Sequence, residues 1–242
     1  MSAPPVDILS SGREQARTGR WRGDHRVALL TPVPSAPIPS AAFLRHCLDV
    51  LEARGYTRVL TGALSPLEQG SFLAAGFDVA ERLHLLSMDL SGGLDPVPPG
   101  RPLVPARRGD EAAVVRVDQA AFVPFWQLDG SGLADALSAT ASTRWRVARP
   151  GSRWAVGHVE GYAICGRSGA RGFVQRLAVS PPAQGRGTGR RLLLDGLQWM
   201  RRHGVAVAVV NTQVGNDPAL RLYRRVGFRD EPLGLSVLSA AL

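Results

Sequence analysis

Gly172-Phe173-Val174-Gln175-Arg176-Leu177-Ala178-Val179 is an apolar run that Ser180-Pro181-Pro182 breaks, and Gln184-Gly185-Arg186-Gly187-Thr188-Gly189 follows directly. Beyond it, Arg190-Arg191-Leu192-Leu193-Leu194-Asp195-Gly196-Leu197-Gln198-Trp199-Met200 repeats apolar residues at helical spacing through Leu193, Leu197 and Met200. The order predicted is a buried strand, a glycine-rich turn and a helix. Glycines let backbone N–H groups approach an anion closely, and a helix start adds the positive end of its dipole. A phosphate ester is the expected occupant.

The glycines do not fit a dinucleotide-binding Gly-x-Gly-x-x-Gly, and no Gly-Lys-Ser/Thr follows as a nucleotide P-loop requires. A tight turn without a ligand also fits the spacing. A second block decides between them. Asn216, Ala219, Leu222, Tyr223, Gly227 and Phe228 form Asn-x-x-Ala-x-x-Leu-Tyr-x-x-x-Gly-Phe after another apolar strand. Together the two blocks resemble the GNAT superfamily of acyl-CoA-dependent N-acetyltransferases, whose Gln/Arg-x-x-Gly-x-Gly/Ala motif matches Gln184, Gly187 and Gly189. The resemblance covers roughly residues 101–242. It implies an α/β (α+β) architecture, the GNAT fold, with a mixed central sheet flanked by helices.

Composition sets wider bounds. The chain has 242 residues, 45% of them hydrophobic, enough for one large or two small cores. Its formal charge of +9 invites a nucleic-acid reading, yet there is no lysine, and the 29 basic residues are scattered arginines. No basic stripe interleaved with aromatics appears, so no nucleic-acid partner is expected. Cys47 and Cys165 are too few and too distant for a disulfide framework, and the histidines lack ligand spacing, so no metal is expected. Met1 to Gly23 has no leader pattern and no segment reaches membrane-spanning length, which predicts a cytoplasmic protein without a membrane partner.

Three regions are expected: 1–90, a linker at 91–102, and a catalytic domain at 103–242. Prolines and glycines between Ser91 and Pro102 defeat both helix and strand. The last region reads β-α-α-β-β-β-α-β-α-β-β. Its strands are expected at Leu103–Arg107, Arg144–Ala148, Gly161–Gly166, Phe173–Val179, Val205–Gln213, Phe228 and Leu235–Leu238. Its helices run from Asp110 to Phe122, over Gly132–Thr140, after the glycine turn, and over Pro218–Val226. In the first region a helix is expected over Ser40–Arg54, a strand over Arg58–Leu64, and a short helix from Ser65-Pro66 to Gly76-Phe77. Laid over the second half, Gly76-Phe77 matches Gly227-Phe228, Phe72 matches Tyr223, Ser65 matches Asn216 and Thr61 matches Thr212. Val33–Ile38 then falls where the glycine turn stands, without a glycine. The first region resembles a degenerate GNAT-like half-domain, expected neither to bind CoA nor to catalyse; chance similarity of two βα segments is the competing explanation.

The resemblance implies acetyl-CoA as donor and an amine as acceptor, either a protein N-terminus or a small amine as in tandem members. The diphosphate would rest on backbone amides of Gln184, Gly185, Arg186, Gly187, Thr188 and Gly189, with Arg186 and Arg190 as cationic partners; Arg191 is either a further one or solvated. Leu177, Ala178 and Val179 would line the pantetheine arm through their main chain, and Asn216 would contact CoA, although an Asn-Asp-Pro turn opening a helix has its own structural logic. Tyr223 would protonate the departing thiolate. Phe125, Trp126 and Asp129 would wall the acceptor pocket, or the aromatics would plug the gap between helices and sheet. Asn211 and Gln213, polar on a strand expected to be buried, would point into the same cleft. No base is evident: Gln175 stands where members often carry a glutamate, and Glu160, His158, Asp118 and Asp129 read as surface or capping groups. Cys165 lacks a partnered histidine, so direct transfer is expected, and the intact Tyr223 weighs against the alternative of a non-catalytic acyl-CoA sensor or scaffold. A monomer or a homodimer is compatible with all of this.

Overall fold

A computed structural model describes residues 7–150 and 157–242, so the start of the Met1–Gly23 stretch lies outside the described residues. The elements in chain order are β1 (Asp7–Ser11), β2 (Glu14–Arg20), β3 (Val27–Pro32), α1 (Ala41–Ala53), β4 (Arg58–Thr61), α2 (Pro66–Ala74) and β5 (Asp78–Asp89). There follow β6 (Leu103–Pro105), α3 (Glu111–Ala121), α4 (Gly130–Ser138), β7 (Ser142–Ala148), β8 (Gly161–Ser168) and β9 (Arg171–Val179). The chain ends with α5 (Thr188–Arg202), β10 (Val207–Gln213), α6 (Asp217–Val226), β11 (Arg229–Asp230) and β12 (Leu235–Ala241).

Two compact units emerge. The first comprises residues up to Leu85 with Thr212–Asn216 and Glu231–Leu242; the second comprises Leu86–Asn211 and Asp217–Asp230. Residues 231–242, grouped with the catalytic region on the sequence, therefore cluster with the first unit. The cause is strand pairing: β12 runs antiparallel to β4 (Ala240 opposite Val59) and to β5 (Leu235 opposite Leu83). Inside this unit β3 and β4 are parallel, and β2 flanks β3 antiparallel. Helix α1 starts where Ser40 Oγ accepts from the Phe43 N–H at 3.2 Å, and α2 where Ser65 and Glu68 form a capping box. Their apolar faces, through Leu44, Leu51 and Phe72, bury against Leu30, Val59 and Leu238.

In the second unit the strand order is β10-β9-β8-β7-β6. The β10–β9 pair is parallel and the remaining neighbours are antiparallel. One face packs on α5 through Val174, Val179, Leu193, Leu197 and Met200; the other packs on α3 and α4 through Val114, Val117, Leu133, Tyr162 and Ile164. Each fully buried large apolar side chain of this kind contributes about 1.5–3 kcal/mol. The segment 91–102 is without helix or strand, as its prolines dictate, but it is not loose. Gln198 Nε2 donates to Asp95 O at 3.1 Å, Arg191 Nε to Pro98 O at 3.2 Å, and Arg191 Nη2 to Arg101 O. Arg191 is thus occupied with main-chain carbonyls, which neither reading of it foresaw.

Candidate active site

The glycine turn lies between β9 and α5, where the two-residue strand repeat gives way to the helical one. Gly185 (φ 74°) and Gly187 (φ 79°) both adopt the left-handed conformation that costs glycine nothing. Gly187 is the residue on which α5 begins, and no side chain caps that start. The first N–H groups of a helix have no intrahelical acceptor, so they remain available to an anion. Residues 184–187 are exposed. Gln184 folds back, its Nε2 donating to Val179 O at 2.9 Å. Arg190 Nη2 pairs with Asp95 Oδ2 at 2.6 Å on the surface, so the phosphate role expected of it competes with this ion pair. Arg186 makes no such contact among the described residues.

Strand β9 is exposed along one edge. Its parallel pairing with β10 runs from Arg171–Val207 to Phe173–Val209 and stops there, leaving Leu177, Ala178 and Val179 paired only with β8. Leu177 and Val179 turn their side chains to the α5 core and Ala178 to the α3 side. Tyr223, on α6, is buried with its ring edge-on to Phe228 at 5.8 Å between centroids. Burial first, and the Cys165 thiol second, push its phenol well above the usual range, against a smaller opposing effect of Arg176. It therefore stays protonated at neutral pH. Cys165 is buried, and desolvation followed by Asp195 pushes its thiol up to about 12, with Arg144 opposing. A thiol so held is no nucleophile.

The acceptor-side residues fall as follows. Phe125 and Trp126 are half-buried and pair edge to face at 5.0 Å. Asp129 caps α4, accepting from Gly132 N at 2.8 Å and from Ser131 Oγ. Its carboxylate is committed to that cap. Asn211 is exposed, so the burial expected of it does not arise. Gln213 and Asn216 belong to the first unit, where Asn216 Nδ2 donates to Gln213 Oε1 at 3.1 Å. Glu160 lies 3.6 Å from Arg101 Nη1. Gln175 donates weakly to Thr140 Oγ1 at 3.3 Å.

Asp118 is where the sequence reading erred. It is neither a surface nor a capping group but fully buried, accepting from Arg176 Nε at 2.7 Å, Arg176 Nη2 at 2.8 Å, Leu128 N at 2.6 Å and the Tyr162 hydroxyl. The signal was its place in Val114, Val117, Asp118, Ala121, on the apolar face of α3. Among the described residues no group of three or more His, Cys, Asp or Glu side chains is disposed to hold a metal, and no helix is long and apolar enough to cross a membrane.

Residues 114–228, just under half of the chain, match the model of the Acetyltransferase (GNAT) family. Among curated relatives, a mycothiol acetyltransferase of Cellulomonas flavigena is 31% identical over 67% of this chain and 51% of its own length. A mycothiol acetyltransferase of Arthrobacter sp. is 41% identical over 59 residues, 24% of this chain and 18% of that protein. The chain thus spans about half, or less, of these relatives. Among solved structures, a tandem GNAT protein from the clavulanic acid biosynthesis pathway superposes with a TM-score of 0.71 at 17% identity, covering 99% of this chain and 83% of that one. A GCN5-related N-acetyltransferase from Sphaerobacter thermophilus gives 0.62 at 17% identity, covering 95% and 76%. These likenesses show the GNAT fold.

Proposed function

We propose that this chain transfers an acetyl group from acetyl-CoA to a primary amine by direct attack in a ternary complex. The observation that carries the reading is the end of β9: its edge loses a strand partner after Phe173 and runs into an uncapped helix start built on left-handed glycines. A pantetheine arm can pair along Leu177–Val179 as a strand would, and a diphosphate can rest on the amides of residues 185–190 with Arg186 beside it. The amine nitrogen attacks the thioester carbon, the tetrahedral adduct collapses, the C–S bond breaks, and the Tyr223 proton passes to the departing sulfur. The amine's own proton leaves to water, since Asp118 and Asp129 are bonded elsewhere, and water returns a proton to the Tyr223 phenolate, closing the cycle. Burial of the Cys165 thiol supports transfer without an acyl-enzyme. The mycothiol acetyltransferase relatives favour a small amine over a protein N-terminus as acceptor.

Calorimetry with CoA and turnover of acetyl-CoA against a panel of amines test the reading. Tyr223→Phe is expected to lower kcat by about a hundredfold while CoA affinity stays within about twofold. An unchanged rate removes Tyr223 from the reaction, and no CoA uptake by the unaltered protein removes the reaction itself.

A further inference from the structure

A register shift in β9 turns two consecutive polar side chains to one face of the sheet. Along β8–β9, Ile164 faces Arg176 and Cys165 faces Val174, so Gln175 is an extra residue without a partner. Val174, Leu177 and Val179 point to the α5 core and Ala178 to the opposite face. The bulge therefore sends two consecutive side chains, Gln175 and Arg176, to the α3–α4 face. Arg176 there meets helix α3 and two residues of the segment that follows it. Its Nε and Nη2 grip the Asp118 carboxylate, its Nη2 also donates to Trp126 O at 2.5 Å, and its guanidinium lies 3.7 Å from the Phe122 ring centroid.

That segment, between α3 and α4, buries little apolar surface of its own, and Gln127 Nε2 helps tie it to α3 by donating to Gln119 O and Phe122 O, each at 2.9 Å. Val123 is 64% exposed, Phe122, Phe125 and Trp126 are only half-buried, and Leu128 is its one buried large apolar residue. A buried ion pair is a poor source of stability, because desolvation offsets its attraction, but it imposes geometry. Asp118 has all its acceptor capacity used, since Leu128 N and the Tyr162 hydroxyl complete its shell.

We infer that Arg176 is a positioning residue: it clamps the acceptor-side segment Phe122–Leu128 to the strand along which the donor lies, and so sets the distance between amine and thioester. This rests on the acetyl-transfer reading. Replacing both partners by apolar residues of similar length, Asp118→Leu with Arg176→Met, avoids leaving a lone buried charge, and Arg176→Lys keeps the charge without the bidentate grip. The paired variant leaves the Leu128 N–H and the Tyr162 hydroxyl without their acceptor, so its thermal midpoint is expected to fall; its CoA Kd is expected to stay within about twofold, while KM for an amine turned over by the unaltered protein rises about tenfold or more. Amide exchange over 122–128 is expected to quicken about tenfold with residues 192–200 unaffected. An unaltered amine KM in the folded paired variant overturns the inference. If the unaltered protein turns over no amine, the exchange measurement decides alone: equal protection of 122–128 in both proteins overturns the clamp, whereas failure of CoA binding strikes only the transferase reading.

Discussion

Two copies of one strand–turn–helix arrangement occur in this chain, and they differ where the helix begins. In the second unit β9 passes through residues 180–187 to α5; in the first, β3 passes through residues 33–40 to α1. Each is followed by a parallel strand and a short helix, β10 and α6 or β4 and α2. The aromatic pair closing each copy is preserved: Tyr223 meets Phe228 at 5.8 Å, and Phe72 meets Phe77 at 5.2 Å, both edge-on. What differs is the helix start. Helix α5 opens on a left-handed glycine with no cap, whereas α1 opens on Ser40, whose hydroxyl accepts from Phe43 N. Glu14 then closes over Ser40, Oε1 accepting from its N–H at 2.5 Å and Oε2 from its hydroxyl at 3.2 Å. A protein carboxylate stands where the other copy leaves its helix start without a side-chain cap. Shared topology fixes the packing, and the few residues at the turn determine whether a ligand site exists.

The largest effect should come from making the functional turn resemble the silent one. Gly187→Val forces a β-branched residue to φ near 79°, a conformation costing about 1–3 kcal/mol for such a side chain. CoA affinity is expected to fall about tenfold to a hundredfold by calorimetry. Ser35→Val, on the exposed turn of the other copy, should leave it within about twofold. Equal losses in both variants would abolish the distinction drawn between the turns.

A second intervention sharpens the contrast at the aromatic pair. Phe72 is fully buried, so Phe72→Tyr brings a hydroxyl into an apolar site. The cost expected in urea unfolding is about 1–3 kcal/mol, the price of an unsatisfied polar group, with no gain in turnover. In the second unit the same hydroxyl is present and protonated, and burial keeps it so. A Phe72→Tyr protein as stable as the original would mean that the first copy still carries a polar niche for a phenol.

How much of this contrast was readable beforehand depends on the range of the interactions involved. The glycine turn, α5, α6 and both capped helices of the first unit are local features, carried by caps, glycines and apolar periodicity within a few residues. Strands β1, β2, β3 and β5 are not legible in the sequence. Exposed polar residues alternate through Glu14–Arg20, and Asp78–Asp89 mixes charged and apolar positions, so neither reads as a buried run. The place of β12 is equally hidden, because its partner β4 lies far back in the chain. Of the candidate site, the glycine turn and Tyr223 stand out as motifs, whereas the placing of Arg176 does not: it depends on the bulge at Gln175, and its partner Asp118 is 58 residues away.

The smallest effect tests whether Glu14 is a stopper or merely a cap. Glu14→Ala removes two acceptors at the start of α1, a loss of about 1 kcal/mol by analogy with helix caps. The CoA stoichiometry should remain one per chain, because residues 33–40 contain no glycine to turn backbone amides toward a phosphate. A second equivalent bound by Glu14→Ala would show that the carboxylate alone had silenced this half. The same variant carries a pH signature. Burial first, and Glu14 second, push the Cys47 thiol from 9.0 up to about 11. The folded state resists ionising it, so the stability this confers is complete below pH 9.0 and lost as pH climbs through about 11. Urea midpoints taken between pH 8 and pH 11 should therefore decline less steeply in Glu14→Ala than in the unaltered protein, where the carboxylate adds to the penalty on the thiolate.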